Sequence, residues 1–68
     1  MNKTYTADQV KRMSVGTHAS VVWIKDPSKR VDGTIIREGK RKVLRSALSG
    51  RFHKIKDYDG FRWEVWEA

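Results

Sequence analysis

The sequence predicts an α+β fold that is mostly β, a short N-terminal helix with a four- to five-stranded antiparallel sheet. Three observations carry this. Thr6-Ala7-Asp8-Gln9 has the form of a helix capping box. Ala19 to Lys25 (ASVVWIK) and Val31 to Arg37 (VDGTIIR) are rich in β-branched residues and bounded by turn formers. Arg51 to Lys56 (RFHKIK) and Phe61 to Trp66 (FRWEVW) flank Asp57-Tyr58-Asp59-Gly60, and an Asp-Gly pair supplies the positive φ of a tight turn.

In the helix, the Thr6 hydroxyl accepts from the Gln9 amide while the Gln9 side chain reaches back to the Thr6 amide. Tyr5 and Val10 occupy the two positions of a hydrophobic staple, and Asp8 complements the helix dipole. Val10 and Met13 form a narrow apolar stripe with Lys11 and Arg12 outward, which predicts about two turns closed by Gly16. The ASVVWIK strand stops at Asp26-Pro27, because proline has no amide to give a ladder. Gly33 in the second strand marks a bulge or a close backbone approach, and Glu38-Gly39 is a turn.

Residues 41–49 (RKVLRSALS) admit two readings. As a helix they gather Val43, Leu44, Ala47 and Leu48 on one arc, with Gly50 as the C-terminal cap. As a strand, Lys40 to Arg45 pairs back on VDGTIIR and leaves 46–50 as a connection. In the last strand Phe61, Trp63 and Val65 share one face and Arg62, Glu64 and Trp66 the other, so Trp66 points away from the main apolar face. Trp23 and Trp63 are assigned to the core. The strongest hairpin signal pairs 51–56 with 61–66.

Sixty-eight residues make one domain, read as a helical segment 1–16 packing on a β-rich core 17–68. A chain this short buries only about 60% of its extended surface, but its three Trp, two Tyr and two Phe supply core anchors. The absence of cysteine removes a disulfide framework and a thiol nucleophile. No apolar run approaches the ~20 residues of a membrane helix, and no hydrophobic leader opens the chain. These features predict a cytoplasmic domain with no membrane partner.

Charge is unevenly placed. Residues 37–56 hold Arg37, Lys40, Arg41, Lys42, Arg45, Arg51, Lys54 and Lys56 against Glu38 alone, an excess equal to the whole net charge of +7. The stretch 57–68 is acidic, with Asp57, Asp59, Glu64 and Glu67 against Arg62. A segregated positive field attracts polyanions and weakens with salt. Phe52, Tyr58 or Trp66, where exposed, offer stacking faces beside these cations.

The run Val15-Gly16-Thr17-His18-Ala19-Ser20-Val21-Val22-Trp23, followed by Asp32-Gly33-Thr34-Ile35-Ile36, resembles the opening of SH3-like small barrels of the KOW and Tudor type. The likeness covers about residues 15–66 in strand order and implies a small SH3-like barrel. It also implies binding to RNA, DNA, ribosomal or polymerase surfaces, or modified peptides. The added N-terminal helix and the alternative helix at 41–49 depart from that pattern. No aromatic cage is recognisable in the sequence, so methyl-lysine reading is not carried over.

Catalytic and metal chemistry find little support. His18 and His53 have no Cys or carboxylate cluster at metal-ligand spacing. Asp57-x-Asp59-Gly60 lacks the later ligands of a calcium loop. Serine, His53 and Asp57 come with no nucleophile elbow. The chain is therefore expected to be no enzyme and to carry no cofactor. The leading reading is a small basic nucleic-acid-binding module, regulatory in role, contacting DNA or RNA through Arg37, Lys40, Arg41, Lys42, Arg45, Arg51, Lys54 and Lys56. The alternative is a protein-interaction or inhibitor module of the phage-regulator kind, docking the same basic face on an acidic protein, with Trp66 and Val65 as an apolar anchor. A homodimer through the C-terminal strand is compatible with either.

Overall fold

The computed structural model describes residues 2–66, with the side chain of Asn2 left aside. In chain order the elements are β1 (Asn2–Tyr5), α1 (Ala7–Lys11), β2 (His18–Trp23), β3 (Arg30–Glu38), β4 (Arg41–Ser46), β5 (Phe52–Lys54) and β6 (Phe61–Trp66). The strands make one antiparallel sheet in the order β1-β6-β2-β3-β4-β5. The fold is thus α+β and mostly β, a small sheet domain compatible with a barrel-like closure. The acidic Glu67 of the C-terminal stretch lies outside the described residues.

The capping box forms as expected: Thr6 Oγ1 accepts from the Gln9 amide at 3.2 Å, and Gln9 Oε1 accepts from the Thr6 amide at 2.9 Å. Two expectations about this helix fail. It ends at Lys11, capped by Arg12, rather than being closed by Gly16, which is engaged with β3 and donates its amide to the Ile35 carbonyl at 2.8 Å. The residues ahead of the cap are also a strand, which lays Tyr5 opposite Trp63.

Core packing follows the strand alternation. Ala19 of β2, Ile35 of β3, Leu44 of β4 and Trp63 and Val65 of β6 turn to one side, where Ala7 and Val10 of α1 and Ile55 join them. One cluster drawing on both β6 and β4 means the sheet curves around its helix. The tight point is Gly33. It stands between Ala19 and Ser46 in the register, and a Cβ there would collide with the Arg45 carbonyl. The sequence reading of a close backbone approach is what the sheet uses.

Residues 41–46 are a strand, with Ile36 opposite Val43 and Leu44 in the core. The two-residue link Gly39-Lys40 takes its positive φ, 62°, at the first central position, the pattern of a type II′ hairpin turn. Helical spacing fails here because Ala47 and Leu48 are not on the Leu44 face at all; both are exposed in the turn that follows.

The hairpin expected between 51–56 and 61–66 does not form. β5 pairs with β4, and β6 is an interior strand with β1 on one side and β2 on the other. Ile55 is needed in the core, so the chain leaves the sheet after Lys54. The crossing segment is held by Trp63 Nε1 donating to the Lys56 carbonyl at 2.8 Å and by the Ala7 amide donating to Asp57 Oδ1 at 3.3 Å. The Asp-Gly turn itself is present, with the Phe61 amide bonded to the Tyr58 carbonyl at 3.1 Å. Having both edges occupied, β6 also has no free edge through which two chains could pair.

Trp63 is core, whereas Trp23 is only half-buried and carries the Lys29 ammonium over its ring at 4.8 Å. Trp23 comes near the end of its strand, where the sheet no longer covers it.

Candidate functional site

The surface divides into two regions. At the β6–β2–β3 end it is a closed polar network. Trp66 Nε1 donates to Ser20 Oγ at 2.9 Å, and the Ser20 hydroxyl donates to Asp32 Oδ1. Arg30 Nε reaches the same carboxylate at 2.7 Å, and its guanidinium lies over the Trp66 ring at 5.3 Å. Glu64, nearly buried, accepts from Arg62 Nε at 2.9 Å and stands 3.5 Å from the second Arg30 nitrogen. Two arginines against two carboxylates leave this region neutral.

Burial alone would push the Asp32 carboxyl up. The Ser20 hydrogen bond and the hydrogen bond and charge of Arg30 outweigh it and hold Asp32 below its ordinary value. A depressed folded-state pKa stabilises the native chain above the unfolded value of about 3.9 and is lost as pH falls through the lower folded value. Urea midpoints of wild type and Asp32→Asn should therefore differ near neutrality and converge below about pH 4. A difference that persists unchanged into acid would remove the carboxylate from this account.

Trp66 is 47% exposed, but the network occupies its nitrogen and one ring face. Three steps of sheet order, through β2 and β3, separate it from β4 and the basic hairpin. It is therefore not brought to the other expected site residues. Val65 is buried on the opposite face, so the expected Trp66–Val65 patch does not exist.

At the other end the surface is cationic. Lys11 at the end of α1, Arg41 and Lys42 at the start of β4, and Lys54 and Lys56 around the end of β5 line one groove with Ile55 at its floor. Its lining includes no carboxylate. Among the described residues Lys11, Lys54 and Lys56 make no ion pair, and Arg41 reaches Glu38 only at 3.7 Å. The groove walls are fixed by ordinary packing. Val43 stands opposite Lys54 in the register, and Tyr58 Oη donates to the Lys54 carbonyl at 2.7 Å. The Lys56 ammonium lies over the Tyr58 ring at 5.2 Å.

Lys42 has a second task, donating from Nζ to the Met13 carbonyl at 2.5 Å, just past the C-terminal end of α1. A cation there satisfies carbonyls the helix leaves unpaired. Arg37 stands directly opposite Lys42, a like-charge pair that strand pairing disfavours. Arg45 lies on the same face of β4 as Arg41, opposite Phe52, while Lys40 is in the turn. Arg51 lines a separate shallow groove with Arg30, Asp32 and His53. So four of the eight cations expected from sequence meet in one groove, Arg45 extends it, and Arg37, Lys40 and Arg51 lie at its margins or beyond. Lys11 was missed: its only sequence signal is that it faces outward from the helix, and the docking of α1 brings it to β4 and β5.

Fold and groove together define a small antiparallel β-sheet domain with a cationic groove at its β5 margin. Comparison with protein families, curated proteins and solved structures finds no match for this chain.

Proposed function

We propose that this domain is a nucleic-acid-binding module that engages the phosphate backbone through charge and shape and serves as a regulator. The observation that carries the reading is the groove of Lys11, Arg41, Lys42, Lys54 and Lys56, lined by five cations and no carboxylate. Such a concentration of like charge costs stability, and the Arg37–Lys42 pairing adds to it; phosphates would offset both. The SH3-like character of the chain belongs to the same proposal. Its support is that β2 to β5 run as an antiparallel meander while β6 returns beside β2.

The test is a fluorescence-anisotropy titration with labelled single- and double-stranded DNA and RNA at several salt concentrations. Engagement of the groove on a duplex predicts a log–log slope of about −4. No saturable binding even at low salt would sink the proposal. A second reading, docking on an acidic protein, draws on Leu48, which is 98% exposed at the β4–β5 turn and bracketed in sequence by Arg45 and Arg51. That reading predicts that Leu48→Ser weakens partner binding and leaves polyanion binding unchanged.

A further inference from the structure

We infer that the nucleic acid this surface takes is single-stranded, with a base stacked on Phe52 while the neighbouring phosphates enter the cationic groove. The inference rests on the proposed nucleic-acid reading and narrows it to one strand and one aromatic platform.

Three aromatics in the sequence were candidates for stacking, and the structure separates them. Tyr58 is partly buried, with its ring inclined 41° to Trp63 at 6.4 Å and its hydroxyl spent on the Lys54 carbonyl. Trp66 belongs to the neutral network. Phe52 is 53% exposed at the start of β5, the last strand of the sheet. Its cross-strand partner is Arg45, and Arg51 precedes it.

Lys54 follows Phe52 by two residues and shares its face of the strand, about 7 Å away. Lys54 is also a wall of the groove, with Arg41 and Val43 on the same face of β4 as Arg45. A single track therefore runs from Arg45 and Phe52 past Lys54 to Arg41, Lys56 and Lys11, with the aromatic at one end and the cations along the rest. Base–aromatic stacking needs a base with a free face, which an unpaired strand offers and an intact duplex does not. An edge strand leaves that ring approachable from the side, as a threaded strand requires.

Three probes of equal length test this: an oligothymidylate of about twelve nucleotides, an abasic strand with the same phosphates, and the corresponding duplex. Wild type should bind the oligothymidylate about tenfold tighter than the abasic strand. Phe52→Ala should abolish that advantage without changing the salt slope, and Phe52→Trp should retain it. Circular dichroism of each variant establishes that the sheet is intact. Binding of the oligothymidylate and abasic strand with equal affinity, or equal loss on all three probes in Phe52→Ala, overturns the inference while leaving charge-driven binding in place. Failure of all three probes to bind at low salt overturns the underlying nucleic-acid reading as well.

Discussion

Gly33→Val should cost the chain a third or more of its stability. A Cβ at Gly33 would overlap the Arg45 carbonyl and come within 3.1 Å of Leu44 Cγ, which is itself in the core. The nearest obstacle is backbone, so no side-chain rotation relieves it. Relief requires β3 and β4 to separate at the point where the Ala47 amide also reaches back to the Asp32 carbonyl at 2.9 Å. Overpacking of this kind costs about 3 kcal/mol, against a total of about 3–10 kcal/mol for a domain of this length. Thermal melts followed by circular dichroism check it, with Gly33→Ala as the milder step. A wild-type melt for Gly33→Val would mean that β3 and β4 are not in the register described.

The second large effect is on binding. Reversing Lys11, Arg41, Lys54 and Lys56 to glutamate should weaken nucleic-acid binding at least about a hundredfold and bring the salt slope close to zero. These side chains are exposed and bear little on packing, so the melting temperature should move little. Lys42 is left in place because its bond to the Met13 carbonyl ties β4 to the end of the helix. Reversal of Lys3, Arg12, Lys25 and Lys29, four exposed cations that do not line the groove, makes the same change in net charge and serves as the control. Retained affinity in the fourfold variant, or equal loss in the control, would remove the groove as the site.

How much of this was readable in the chain depended on how local the determining interactions are. The capping box is written in four consecutive residues and forms as read. Gly33 announced a close approach, though not with what. Residues 41–49 stayed ambiguous because Val43, Leu44, Ala47 and Leu48 satisfy a helical arc. The choice was made by cross-strand partners that lie outside the segment, with Ile36 opposite Val43 and His53 opposite Leu44. The Asp-Gly turn was real, but a turn does not say which strand its flank will join. Asn2–Tyr5 showed no alternation to mark a strand and becomes one only because β6 offers an edge. The site followed the same rule: the density of cations in 37–56 was visible, while sorting them into a groove, adding Lys11 and setting Trp66 aside needed the folded register.

The placement of β6 has a consequence for the order of assembly. The sixth strand of the sheet is flanked by the first two, with Asn2 opposite Trp66 and Ala19 opposite Val65. A growing chain can close the β2–β3–β4–β5 meander as it emerges, since those strands are near neighbours in sequence. It cannot seat β1 or supply Trp63 and Val65 to the core until residues 61–66 arrive. Closing so long a loop is entropically unfavourable until native contacts offset it, and such non-local pairing slows folding. Until β6 arrives the nascent chain thus presents an unpaired strand edge on β2, and the same late event that covers it makes Asn2–Tyr5 a strand.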